Sequence, residues 1–383
     1  MSKQFQIINV LRDYPKTSVQ SPEDEINSMQ SKIEAFLDLY EIGYSQISYR
    51  VGASVVSFEI VPETGDTMAK IRKLKDDIAL SLCASSARII APIPGKGTIG
   101  IEMARQKPQI VGLKQILESA EFNDDSLTLP VACGIDTDNK PVVVDLAKEH
   151  HLLIGGATGQ GKTTFLNTLI VSLLYGKSPE ELKFLLIDPK MVEFGIYNRI
   201  KEQYLVSIDG VEHDVITDSD EALLALKALV TEMGRRYQLL QSAGCPNISK
   251  YNDQAIERLP YIVGIIDEYA DLILTHGKDV ETPLLRLAAV AHVTGIHLVI
   301  ATQRPSKNVI TGSIKASIPC RVAFKVFQNL DSKTVLDSDG AANLIGRGDM
   351  LLSLNGSLRR VQAPFVDFDE IDKICKAHNR YDE

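Results

Sequence analysis

The spacing of apolar residues changes its period several times along the chain. Ile26, Met29, Ile33, Phe36 and Leu39 recur every three or four positions, the spacing of one helix face. ISYRVGASVVSFEIVPE then alternates and is rich in β-branched residues, which predicts two strands around Gly52. Met68 to Cys83 returns to helical spacing, and ARIIAPIPGKGTIGIEM reads as a hairpin turning at Pro94-Gly95-Lys96-Gly97. Residues 1–25 are mostly polar and predict an extended arm. Residues 26–120 predict a small α+β domain, with VGLKQILESAEF as a helical connector at its end.

Beyond residue 120 the pattern differs. LPVACGI and PVVVDL are short strands. HLLIGG, KFLLID, YIVGIID, IHLVIAT and RVAFKVF are apolar throughout, and helical stretches lie between them, notably Thr163 to Tyr175 and Asp218 to Ser242. Strands without a polar face, separated by helices, predict a parallel sheet covered on both sides. DMLLSL adds an expected edge strand. The fold class is therefore α/β: a mostly parallel sheet over residues 121–370 preceded by the small α+β domain, with 371–383 as a tail.

Charge and cysteine content narrow the picture. The formal charge of −9 on its own argues against a nucleic-acid binder. Residues 300–360, however, hold nine Lys or Arg against four Asp, so a local basic surface on an acidic body is expected. Five scattered cysteines with no CxxC pair read as reduced thiols packed as small hydrophobes, with neither a zinc site nor a disulfide framework. The N-terminus lacks a signal pattern, and no apolar run approaches the ~20 residues of a membrane span. A cytoplasmic chain with no membrane segment is expected.

The chemistry centres on Gly156-Ala157-Thr158-Gly159-Gln160-Gly161-Lys162-Thr163, which fits G-x-x-x-x-G-K followed by Ser or Thr. The glycines let successive N–H groups point into one concavity, and the following helix adds its positive N-terminal end. Lys162 is placed to reach the β- and γ-phosphates of ATP and Thr163 to set its hydroxyl on Mg²⁺, with Thr164 next in the helix. The alternative is a plain glycine turn with an exposed lysine, but the strand before and the helix after argue against it. YIVGIIDEYAD ends an apolar strand in two acids. Asp267 suits the magnesium shell, and Glu268 suits orienting or deprotonating the attacking water. Strands often end in acidic turn residues, so the upstream phosphate loop is what gives the pair this reading. Gln303, directly after IHLVIAT, either touches the γ-phosphate or the water or is a solvated cap.

HLLIGGATGQGKTTFLNTLIVSLL, FLLIDPKMVEF, EMGRRYQLL, LPYIVGIIDEYADLI, GIHLVIATQRPSKNVITGSIKASIPCRVAF and LIGRGDMLL together resemble the motor region of bacterial FtsK/SpoIIIE DNA translocases. IPGKGTIGIEMARQ, VGLKQILES and PVVVDLAKEHHLL resemble the small domain that precedes that motor. The resemblance spans residues 25–368. Its phosphate loop is shared by many unrelated ATPases, whereas ATQRPS followed by VITGSIKASIP is far more specific.

The resemblance implies a RecA-like P-loop NTPase core, a homohexameric ring, ATP and Mg²⁺ as cofactors, and double-stranded DNA moved through the pore by ATP hydrolysis. Carried over, Lys162 and Thr163 hold phosphates and metal, Asp267 and Glu268 form the hydrolytic pair, and Gln303 is the sensor. In a ring, a neighbour's arginine completes each site. Arg235 and Arg236 are the first candidates and Arg321 the second, each against the alternative of a solvated surface charge. DNA contact is expected at Arg304, Lys307 and Lys315, and to phosphates, because a motor running over any sequence cannot rely on base edges.

The chain departs from the family's pattern at Ala291-His292-Val293-Thr294-Gly295, where an arginine usually stands at the second position. His292 either weakens coupling between subunits or is a tolerated surface change. Neither a septal anchor nor a winged-helix reader of orientation sequences is expected in this chain, which leaves DNA loading to an accessory or channel partner. A conjugative or mobile-element coupling ATPase remains an alternative, as do a protein-secretion ATPase of the same superfamily and a non-catalytic ring with a relic site.

Overall fold

The computed structural model describes residues 3–14, 23–63, 87–93, 96–207 and 214–379. The helix expected from Met68 to Cys83 lies outside the described residues, as do Pro94 and Gly95 of the expected hairpin turn. In the first of two sheets, β1 (Tyr44–Val51), β2 (Val55–Pro62), β3 (Arg88–Ile90) and β4 (Ile99–Ala104) pair antiparallel in the order β1-β2-β4-β3. Val56, Phe58 and Ile60 of β2 and Ile99, Ile101 and Met103 of β4 pack under the helix Glu23–Leu39, which contributes Ile26, Met29, Ile33, Phe36 and Leu37. This core is separate from the rest.

The second sheet adds β5 (Pro130–Asp136), β6 (Pro141–Asp145), β7 (Leu152–Gly155), β8 (Leu182–Ile187), β9 (Tyr261–Ile266), β10 (Ile296–Thr302), β11 (Cys320–Phe324), β12 (Asp349–Leu354) and β13 (Ser357–Gln362). The nine strands lie in the order β6-β5-β13-β12-β11-β7-β10-β9-β8. From β11 to β8 the pairing is parallel, and from β6 to β11 it is antiparallel. The parallel part is built from the continuous apolar runs. On β10, Val299 and Ala301 face the core that holds the helix Lys162–Gly176, while Ile296, Leu298 and Ile300 face the core closed by the helices Ser219–Ser242 and Lys278–Val290. Both faces are buried, so no polar alternation is left in the sequence. Asp218 caps the helix Ser219–Ser242 by accepting from the N–H groups of Asp220 and Glu221.

Some expectations are corrected. DMLLSL is not an edge strand: β12 lies between β11 and β13. Its neighbour β13, SLRRVQ, was not expected because it reads as polar. It is held inside by an ionic network. Arg360 donates through Nε and Nη2 to Asp349 at 2.9 and 2.6 Å and through Nη1 to Glu102 of β4 at 2.8 Å. Arg88 of β3 approaches the same Glu102 oxygen at 3.4 Å. Arg360, Asp349 and Glu102 are buried, so this network fastens the two sheets together.

Residues 1–25 are not an extended arm throughout. Lys3–Val10 is a helix, because Ile7 and Leu11, four positions apart, are buried in the larger core. Nor is the chain after residue 370 a tail, since Ile371, Ile374 and Cys375 of the helix Phe368–Asn379 are buried in that same core. The two segments hold each other: Arg12 N–H donates to Glu370 at 2.6 Å and the Arg12 guanidinium to Asp367 at 2.8 Å. The connector helix Leu113–Leu117 and Phe122 also pack into this core.

Cys133, Cys245, Cys320 and Cys375 are buried free thiols. Among the described residues no helix is long and apolar enough to cross a membrane. At the N-terminal ends of β7 and β10, the rings of His150 and half-buried His292 stack with centroids 3.7 Å apart. His297 Nδ1 donates to the His150 carbonyl at 2.7 Å, and Leu298 N–H donates to His151 Nδ1 at 3.0 Å.

Candidate active site

The phosphate loop leaves the C-terminal end of β7, and the two flanking strands fix its start. Gly156 N–H donates to the Thr302 carbonyl at 3.2 Å and Ala157 N–H to the Lys325 carbonyl at 2.9 Å. Gly161 sits at φ +112, where a side chain is strained, and a Cβ there would lie 2.7 Å from Gly348 N. Gly348 N–H in turn donates to the Gln160 carbonyl at 3.0 Å. A second glycine loop, Gly346-Arg347-Gly348, therefore packs directly on the first. Asp349 Oδ2, the partner of Arg360, accepts from Ile345 N–H at 2.8 Å and holds the start of this second loop. The two loops, with residues 108–111 and 362–365, enclose a cavity of 630 Å³, a size that suits a small-molecule site.

Lys162, Thr163, Asp267, Glu268 and Gln303 come together from β7, β9 and β10. Lys162 Nζ donates to the Asp267 carbonyl at 2.7 Å and to Asp267 Oδ1 at 3.1 Å, and lies 3.9 Å from Glu268 Oε2. Glu268 Oε1 accepts from the Thr302 hydroxyl at 2.7 Å, its Oε2 from Lys190 Nζ at 3.0 Å, and both from Gln303 N–H. Gln303 Oε1 accepts from the Thr158 hydroxyl at 2.7 Å, so its side chain touches the phosphate loop and is no solvated cap.

Burial separates the two acids electrically. It pushes the Asp267 carboxyl above its ordinary value despite the pull of Lys162. Burial also works to raise Glu268, but the Thr302 hydroxyl, Lys162, Lys190 and the Gln303 N–H outweigh it and hold Glu268 below its ordinary value. Glu268 is thus an ionised acceptor held by several donors, an arrangement better suited to orienting a water than to taking its proton.

The donor set fits a divalent cation. Asp267 Oδ2 is buried without a partner among the described residues, and Thr163 offers a hydroxyl oxygen in the cavity wall. Sequence reasoning missed several residues here. Lys190 and Glu193, from DPKMVEF, reach Glu268 and Thr163 respectively. Burial, and then the charge of Asp267, raises the Glu193 carboxyl. Arg347 is exposed at the cavity rim at φ +54. Its signal in the sequence was a basic residue between two glycines, and that of Glu193 an acid five positions past a strand-ending Asp.

Arg236 is buried and donates to Glu232 and to the carbonyls of Pro260 and Thr294, so it ties the chain internally and is corrected from finger to framework. Arg321 donates to the carbonyls of Ile318 and Lys315 and pairs with Asp337, which likewise makes it structural. Arg235 remains exposed, forked onto Glu232.

The basic segment is not one surface. Lys315 shares Asp337 with Arg321, Lys333 pairs with Asp339, and Arg360 is buried. Lys315 is thereby corrected as a free contact. Arg304 and Lys307 are exposed and make no ion pair among the described residues.

Comparison with known proteins agrees with this geometry. Residues 112–307 match the FtsK/SpoIIIE family and residues 7–105 the FtsK alpha domain. The chain belongs to the FtsK/SpoIIIE family. It is 42% identical over 379 residues to the DNA translocase FtsK of Chlorobaculum tepidum, covering 97% of this chain and 47% of that protein. It is 46% identical over 371 residues to the DNA translocase SftA of Bacillus subtilis, covering 95% of this chain and 38% of that protein. The chain thus spans less than half the length of both. Among solved structures, the pCW3 conjugation coupling protein TcpA with ATPgS superposes at a TM-score of 0.63 with 25% identity, covering 92% of this chain and 99% of that one.

Proposed function

We propose that this chain is the ATP-hydrolysing motor of a cytoplasmic translocase that moves double-stranded DNA through a homohexameric ring. The observation that carries the reading is that Lys162, Thr163 and Gln303 line one cavity between two interlocked glycine loops, with Lys162 bonded to Asp267 and the Gln303 N–H to Glu268, in a chain of this family. The phosphates of ATP lie against the N–H groups of residues 158–164. Lys162 exchanges its bond to Asp267 Oδ1 for phosphate oxygen, and the carboxylate it leaves joins Thr163 in facing the cation. Mg²⁺, when bound, neutralises charge developing on the phosphates. Glu268, fixed by Thr302 and Gln303 N–H, orients the attacking water, and Gln303 reports the γ-phosphate to Thr158. Arg304 and Lys307 meet DNA phosphates, and Arg235 is the remaining intersubunit candidate of the original three.

Linear duplex DNA is expected to stimulate ATP hydrolysis, and Lys162→Ala to abolish it. Glu268→Gln keeps ATP binding and loses at least ~100-fold in turnover. Hydrolysis indifferent to duplex DNA at every salt concentration refutes the translocase reading. A second reading, a coupling ATPase that feeds DNA to a channel partner, is favoured by the likeness to TcpA over nearly the whole chain. Co-purification with a relaxase or channel protein distinguishes it.

A further inference from the structure

Thr163 presents a problem that its assigned role does not solve. A hydroxyl that ligates a cation uses an oxygen lone pair, so its proton must point elsewhere, and a free hydroxyl rotates. Here Thr163 Oγ1 donates to Glu193 Oε1 at 3.2 Å. Glu193 is held in place for this. Asp188, fully buried at the end of β8, accepts from Glu193 N–H at 2.7 Å and Phe194 N–H at 3.0 Å through Oδ2, and from Lys190 N–H at 3.2 Å through Oδ1. One carboxylate thus folds the 188–194 loop so that Lys190 faces Glu268 and Glu193 faces Thr163. Glu193 lines the same cavity as the phosphate loop.

Resting on the reading of Thr163 as a cation ligand, we infer that Glu193 is a positioning residue that accepts the Thr163 hydroxyl hydrogen bond and so aims the hydroxyl oxygen at the divalent cation of the bound nucleotide. Glu193 acts through Thr163 and touches neither phosphate nor water. Partners that orient a metal ligand typically contribute ~10–100-fold in metal affinity.

The test is Mg²⁺ titration of the binding of a fluorescent, non-hydrolysable ATP analogue to the whole chain, with Mn²⁺ binding followed by electron paramagnetic resonance. Glu193→Ala is expected to raise the half-saturating Mg²⁺ concentration ~10-fold or more, with analogue binding in EDTA unchanged. Glu193→Gln, whose amide oxygen still accepts a hydrogen bond, restores most of the affinity. On a Thr163→Ala background Glu193→Ala adds nothing, because the group it orients is gone. Thermal melts of each variant identify any that fails to fold, and Glu193→Met, which keeps the side chain's length but offers no oxygen acceptor, carries the comparison if Glu193→Ala does. An unchanged Mg²⁺ requirement in Glu193→Ala, or an equal loss with and without Thr163, overturns the inference while leaving Thr163 as a ligand. A Thr163→Ala chain with a normal Mg²⁺ requirement overturns the underlying reading and the inference with it.

Discussion

Arg360→Met isolates the contribution of the ionic network between the two sheets. The substitution keeps an unbranched apolar stem and removes three charge-assisted hydrogen bonds of 2.6, 2.8 and 2.9 Å. Glu102 keeps Arg88 at 3.4 Å. Asp349, fully buried, keeps the Ile345 N–H and loses its one cation among the described residues. Removing one member of a buried pair costs about 3–5 kcal/mol, because the other charge stays buried. Equilibrium unfolding in urea should show a loss of that size. Arg360→Lys should fall between, since one ammonium cannot reproduce a fork spanning two carboxylates. Arg360→Met with Asp349→Leu should recover much of the loss, because an apolar pair leaves no charge to strand. Loosening the Ile345 anchor should also weaken ATP-analogue binding in Arg360→Met. A loss below about 1 kcal/mol would refute the claim that these charges are buried and mutually dependent.

Three other outcomes are expected. Gly161→Ala, with its new Cβ 2.7 Å from Gly348 N, should displace the second glycine loop and weaken nucleotide binding, whereas Gly159→Ala, at φ +74 with nothing nearby, should cost only the ~1–2 kcal/mol of a left-handed residue. Equal effects in a binding titration would dismiss the contact between the loops. Burial lowers His297 to about 4 despite its bond to the His150 carbonyl, and burial and neighbouring imidazoles lower His151 and His292. Below an unfolded value of ~6.5 the unfolded chain takes up protons that the folded one refuses, so stability should fall as pH drops from 6.5 towards 4, by roughly 3 kcal/mol from His297 alone. Urea unfolding at pH 7, 6 and 5 measures this, and His297→Phe should flatten the slope; a slope unchanged by that substitution counts against the assignment. Arg304→Ala and Lys307→Ala should each reduce the salt slope of DNA binding by about one, while Lys315→Ala, already paired with Asp337, should not; a Lys315→Ala slope falling like the other two would return it to the interface.

What the sequence made legible shares one property: its physics is local. The apolar runs of β7 to β11 announce strands buried on both faces, and the phosphate loop carries its glycines, lysine and threonine within eight positions. What it concealed depends on which residues meet in space. SLRRVQ looks like a solvated stretch until Glu102 and Asp349 are seen to meet Arg360. EMGRRY offers two arginines that are indistinguishable in sequence, yet Arg235 is exposed and Arg236 is buried against two carbonyls. The net charge of residues 300–360 likewise hides that Asp337 and Asp339, counted within it, pair with Lys315, Arg321 and Lys333. Glu193 carries no motif of its own until the Asp188 carboxylate is seen folding its loop.

The bonds from Arg12 to Asp367 and Glu370 have a mechanical side. They bind the first described segment to the last, and Tyr14 adds an edge-on ring contact with Phe365. A pull applied between Arg12 and Glu370 is therefore met by these bonds. The helix Lys3–Val10 also lies against the helix that begins at Lys162. Parting the Arg12 bonds would free the segment that carries one of the phosphate-loop helix's neighbours, so the joining of the two segments is coupled to the packing of the nucleotide site.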